Sequence, residues 1–297
     1  MLPENHITGP LPLPAGPFLP HRPPMLLLDK LVERKGGKAT ASAHIGEGNI
    51  CMTAGGALLP ESFIEILAQT MAAANGYDAT GLNQHPKSGF IVGLEQCSFQ
   101  HIPQNASDIS AHIVETMTLG ALKAVQGEVF AGNTAVISAE LKVWEEAEKK
   151  EEYSPSPAGG KALNGCNSKP ADSIASSVLS CINDVYVEEQ AEKLKVSARC
   201  IFSPSFCGFA GHFPENPILP AIVQLATVRT LAEQALQQTM VPETYSRVRF
   251  KSMVKPDQVI ALQLDLALSG NRCRGKFHIR SQPDTVVANG SFSFRRA

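Results

Sequence analysis

Apolar and polar positions along this 297-residue chain fall into two similar series. In the first, residues 23–33 (PPMLLLDKLVE) and 38–45 (KATASAHI) read as strands, the second alternating with the period of a half-buried strand. Residues 60–77 (PESFIEILAQTMAAANGY) follow as a helix that is apolar on nearly every side and therefore buried. Pro60 suits its first turn and Glu61 the positive end of its dipole. Strand patterns return at 89–100, 109–119, 122–131 and 134–146. The second series repeats the order: strands at 182–189 and 193–202, a helix at 220–238 (PAIVQLATVRTLAEQALQQ), then strands at 246–253, 259–268, 272–280 and 285–296. Each half is thus α+β, and its closely spaced strands predict a long antiparallel sheet curled around one helix. The same order met twice indicates an internal duplication.

Between 146 and 176 the text is EAEKKEEYSPSPAGGKALNGCNSKPADSIAS, rich in Glu, Lys, Ser, Pro and Gly with no sustained apolar period. This gives a first domain at 1–148, a linker at 149–176 and a second domain at 177–297. Lys plus Arg total 26 and Asp plus Glu 28, a balance that argues against a dedicated nucleic-acid binder. Seven scattered cysteines without a Cys-x-x-Cys pair indicate neither a disulfide framework nor a zinc site, and a reducing cytoplasm is the expected home. The proline-rich N-terminus lacks the regions of a signal peptide, and no run reaches the ~18 apolar residues of a membrane span.

Two polar side chains interrupt the first helix. Glu65 and Gln69 stand one turn apart on one face. A buried carboxylate there needs a chemical reason, while a partly exposed helix edge is the plain alternative. In the second half Gly211, His212, Phe213 and Pro214 lead through Pro217 and Pro220 into the helix. Prolines stiffen such a loop, which can hold an imidazole beside the N–H donors of a helix start. A satisfied structural histidine is the plain alternative.

GHFPENPILPAIVQL (211–225) resembles the GHFPxxPxxPG motif of the 3-hydroxyacyl-acyl-carrier-protein dehydratases. FLPHRPPMLLLDKLVE (18–33), Glu65-Ile66-Leu67-Ala68-Gln69 and the stretch from Val248 to Leu266 are similar to further segments of that family. The resemblance implies the hotdog fold and a composite site, in which a dimer brings the His of one subunit to the acidic residue of the other. In single-domain relatives that residue lies fourteen positions after the His. Here that position after His212 is Ala226, and the same spacing before Glu65 gives Cys51. Each half has kept one partner. A double hotdog follows, an intramolecular pseudo-dimer with one complete site, His212 and Glu65, while Cys51 reads as a small core thiol.

By the same resemblance the reaction is dehydration of a 3-hydroxyacyl thioester to a trans-2-enoyl thioester in fatty-acid or polyketide-like biosynthesis. His212 would take the C2 proton, and Glu65, protonated or sharing a proton because burial raises a carboxyl, would deliver it to the leaving hydroxyl. Gln69 would orient Glu65. Gly211 would shape the loop, and Ala221, where the family has Gly, would offer its N–H to the thioester oxygen. Glu215-Asn216 also departs from the family's Gly-x. His21, Arg22 and Asp29 match family positions and read as structural, tying down a loop. Arg247, Arg249, Lys251 and Lys255 form either a solvated edge or a docking surface for an acidic carrier. No metal and no bound organic cofactor is implied. The partner is an acyl-carrier protein or a coenzyme A thioester, with further homo-oligomer formation open. A hotdog thioesterase and a non-catalytic carrier-binding protein are the alternatives.

Overall fold

A computed structural model describes residues 9–53, 56–82, 84, 86–146, 173–190, 193–281 and 284–297. Most of the linker expected at 149–176, with Cys166, lies outside the described residues. The first half comprises β1 (Leu13–Pro14), β2 (Lys30–Lys35), β3 (Lys38–Ile45), α1 (Ser62–Gly81), β4 (Gly89–Phe99), β5 (Ser107–Leu119), β6 (Leu122–Ala131) and β7 (Thr134–Glu145). The second comprises α2 (Ile174–Cys181), β8 (Ile182–Gln190), β9 (Lys193–Cys200), α3 (Ala221–Leu236), β10 (Met240–Phe250), β11 (Ile260–Ser269), β12 (Arg272–Ser281) and β13 (Thr285–Arg296).

All described strands belong to one 13-stranded sheet, ordered β1-β2-β3-β5-β6-β7-β4-β10-β13-β12-β11-β9-β8. Apart from β1, this is one six-strand order met twice in mirror sequence, the two copies joined where β4 pairs antiparallel with β10. The seam sets Leu94 opposite Val248 and Cys97 opposite Tyr245. One long helix packs within each copy, so the molecule is a double hotdog. Phe63, Ile64, Ile66, Leu67 and Met71 of α1, and Ile222, Val223, Leu225, Val228 and Leu231 of α3, are buried. Burying helices on all sides is what their missing polar faces required. No helix among the described residues is long and apolar enough to cross a membrane.

Three departures from the pattern have physical causes. Residues 23–28 form no strand, because Pro23 and Pro24 have no N–H to give a ladder. Their neighbours' backbone is satisfied instead by Gln69, whose Oε1 accepts from Leu27 N at 2.9 Å and whose Nε2 donates to Met25 O at 2.8 Å. β10 starts at Met240, six residues before its alternating stretch, since Pro242 hides the strand there. Residues 174–181 form α2, capped by Ser173, whose side chain accepts from Ser176 N; their Ser-rich composition resembled linker.

A buried ion pair ties the two long helices together. Glu61, at the N-terminus of α1, is fully buried and accepts from Arg229 of α3, Nε to Oε1 at 2.9 Å and Nη2 to Oε2 at 3.2 Å. Tyr245 of β10 donates its hydroxyl to Glu61 Oε1 at 2.8 Å. Arg229→Met leaves that carboxylate unpaired in the interior, so urea unfolding of this variant should show a loss of about 3–5 kcal/mol. Adding Glu61→Leu should recover much of it.

Candidate active site

The loop before α3 is shaped by a close backbone contact. Gly211 has φ of +80°, and a Cβ there would lie 1.9 Å from Arg22 O. Only glycine fits, and the N-terminal segment can sit directly on the loop, with Arg22 N donating to Gly211 O at 3.0 Å. His212 is buried, with Phe213 stacked on it at 4.5 Å between ring centres. Its Nδ1 lies 3.0 Å from Ile218 O. A carbonyl only accepts, so Nδ1 carries the hydrogen and Nε2 keeps a free lone pair.

Glu65, on α1, is 3% exposed. Its Oε1 accepts from Gln69 Nε2 at 3.0 Å and faces His21 Nε2 at 3.2 Å. The His21 ring in turn lies 5.3 Å from that of His212. Three elements thereby bring one potential ligand atom each from His21, Glu65 and His212 within 4.8 Å of one another. A metal ion could use such a spacing. As the groups stand, the His21 Nε2 that a metal would need is directed at Glu65 Oε1, while the Nδ1–H of His212 on a backbone carbonyl leaves its Nε2 open to either a proton or a ligand.

The electrostatics correct one expectation. Burial pushes the Glu65 carboxyl up, but the hydrogen bond and charge of His21, the charge of His212 and the Gln69 hydrogen bond outweigh it and hold it at about 2. Glu65 is therefore an anion at rest and not the protonated acid expected from burial alone. Burial also pushes His212 down, against the pull of Glu65, and leaves it neutral.

The trio opens on a pocket of about 180 Å³ whose walls include Ala68, Ala72, Phe90, Trp144 and Phe250. Ala221 borders it at the start of α3, where the first-turn N–H groups of Ala221 and Ile222 have no helical acceptor. Lys251 lines the pocket, and Arg247 and Lys255 are exposed. Arg249 is engaged in an ion pair: Nη2 donates to Glu95 Oε1 at 2.7 Å and Oε2 at 3.0 Å, across the β4–β10 seam. The reading of His21 as structural also needs correction. Arg22 does tie the loop, its Nη1 donating to Leu19 O at 2.7 Å, and Asp29 accepts from His44 N at 2.6 Å, but His21 points at Glu65. Its place beside Arg22 was the available signal; its distance from Glu65 depends on the fold.

The duplication supplies an internal comparison. Ile174 N donates to Ile50 O at 2.8 Å, which repeats Arg22 N on Gly211 O one copy over. By that equivalence Ser173 stands for His21, Cys51 for His212 and Ala226 for Glu65. Cys51 is fully buried, and burial followed by the charge of Glu65 pushes its thiol far up, so it is an inert thiol. Arg229 stands where the first site has Ala68, and there it pairs with Glu61.

These features define a hotdog protein in which His212 of one half and Glu65 of the other meet at one pocket. Residues 13–154 match the family model of the ApeP-like dehydratases and residues 187–291 that of the ApeI-like dehydratases. The chain belongs to the hotdog dehydratases, as a tandem of the two units. It is 31% identical over 94 residues to a 3-hydroxyacyl-acyl-carrier-protein dehydratase FabZ of Caldicellulosiruptor bescii, a match covering 29% of this chain and 66% of that relative. Among solved structures, a chain of the dehydratase heterocomplex ApeI:P from Xenorhabdus doucetiae is 18% identical, covering 46% of this chain and 93% of that one, with a TM-score of 0.43. An acyl-ACP thioesterase from Bacteroides thetaiotaomicron is similar in fold over 86% of this chain and 98% of that one, at 12% identity and a TM-score of 0.53.

Both buried groups make stability fall on acidification. His212, lowered from its usual 6.5, favours the fold fully above pH 6.5 and loses that contribution as pH falls through its folded value. Glu65, held at about 2 against a usual 4.5, loses its contribution only between those two values. Urea midpoints measured against pH should therefore decline below about pH 6.5, less steeply in His212→Gln, while Glu65→Gln should flatten only the part below about pH 4.5.

Proposed function

We propose that the protein is a 3-hydroxyacyl-thioester dehydratase, forming a trans-2-enoyl thioester on acyl-carrier protein in fatty-acid or polyketide-like biosynthesis. The observation that carries this reading is the meeting of a neutral imidazole and an ionised carboxylate, one from each half, at an apolar pocket. The pocket's apolar walls suit an acyl chain, and Lys251, Arg247 and Lys255 suit an acidic carrier. The cytoplasm is the proposed compartment.

In this reading His212 Nε2 takes a proton from C2, which the thioester carbonyl acidifies. Charge gathers on the thioester oxygen, where the N–H groups of Ala221 and Ile222 stabilise it. The electron pair left on C2 forms the C2–C3 double bond as the C3–oxygen bond breaks. The new imidazolium, stabilised by the Glu65 carboxylate, passes its proton to the departing oxygen and water leaves. His212 is neutral again, and proton and charge balance. Glu65 also orients the C3 hydroxyl by accepting its hydrogen bond. This replaces the expectation that Glu65 supplies the proton, because the site keeps it ionised.

Purified protein incubated with 3-hydroxyacyl-carrier-protein substrates of several lengths should release enoyl thioester without free thiol. His212→Ala and Glu65→Gln should each lower turnover by about 10²–10⁴-fold. Free thiol without enoyl product would place the protein with the hotdog thioesterases. Tight carrier binding without either product would make it a non-catalytic binder. Turnover that survives either substitution would remove the composite site.

A further inference from the structure

His21 has no task in the steps above, yet it is only 5% exposed and its Nε2 lies 3.2 Å from Glu65 Oε1. His21 Nδ1 is buried and has no hydrogen-bond partner among the described residues, an arrangement that costs stability. The loop is tied by its neighbour, through Arg22 N on Gly211 O. The internal copy adds an independent observation. Where the base and the carboxylate have become Cys51 and Ala226, the position of His21 has become Ser173. The three side chains are present together in one copy and absent together in the other, as members of one unit would be.

We propose that His21 is a positioning residue of the active site: its Nε2–H anchors Glu65 through Oε1 and turns Oε2 toward the substrate hydroxyl and His212. The proposal rests on the reading of the site as a dehydratase centre. Gln69 shares the anchoring from the same helix, donating to the same oxygen. The titratable groups facing Glu65 are His21 from the N-terminal segment, His212 from the loop before α3 and Cys51 from the loop before α1. Only the two histidines favour its charge, whereas burial opposes it.

The test compares His21→Leu, which deletes the donor, with His21→Gln, whose side-chain amide N–H restores one near the place of Nε2. Two quantities are read: the pH profile of kcat/KM for enoyl formation, and the ¹³C titration midpoint of the Glu65 carboxyl in ligand-free protein, assigned by difference from Glu65→Gln. In His21→Leu both the acid limb of the profile and the carboxyl midpoint should rise, the midpoint by about one to three pH units. His21→Gln should return both toward the wild type. If His21→Leu fails to fold, the Gln variant is compared with His21→Asn, whose donor stands in the wrong place, and the same rise is expected in Asn. A midpoint that stays where it is in the donor-deleted protein, with turnover lowered evenly at all pH values, would overturn the proposal. Wild-type protein that forms no enoyl product would defeat the dehydratase reading, and the carboxyl midpoints would still decide whether His21 anchors Glu65.

Discussion

One negative charge, on Glu65, has to be kept inside a helix that is apolar on every side, and much of the architecture follows from how that is done. An isolated buried carboxylate takes up a proton, so hydrogen-bond donors and ionisable partners have to be delivered to it. Gln69 arrives from one turn away, and the same amide fixes the backbone of Met25 and Leu27. His21 arrives from the segment so fixed, and His212 comes from the other half of the chain. The last contact demands that the halves be registered against one another. The β4–β10 ladder and the Gly211–Arg22 backbone contact supply that register.

The pseudo-twofold arrangement offers two places for such a site, and the chain has treated them oppositely. In one, a stiff loop and three ionisable side chains face a pocket. In the other, Ser173, Cys51 and Ala226 carry no charge, and the guanidinium of Arg229 occupies the helix face with Glu61 and Tyr245 as partners. That buried pair cross-links α1 and α3. Losing one partner alone would be costly, because it would leave a buried charge uncompensated between the halves.

Much of this was legible in the sequence because periodicity reports burial. The strands at 38–45, 122–131 and 285–296 begin and end where the alternation does, and α1 shows its burial by having no polar face. Gly211 and Gln69 were legible as parts of motifs. What escaped depended on contacts between distant residues. The Pro23-Pro24 segment has strand-like composition but no donors for a ladder. Arg249 belongs to a basic cluster in sequence, yet Glu95 waits for it across the seam. His21 sits forty-four positions from Glu65, and the ionised state of Glu65 depends on it. Burial alone would have given the opposite sign.

The account's central claim is that residues from opposite halves act as one catalytic unit. A double-mutant cycle on kcat for enoyl formation tests it, with His212→Ala, Glu65→Gln and the two combined, all folded to the same extent by circular dichroism. Groups acting as a unit are strongly non-additive, so the combined variant should be little slower than the slower single one. Losses that simply multiply would show two independent contributions and contradict the composite site.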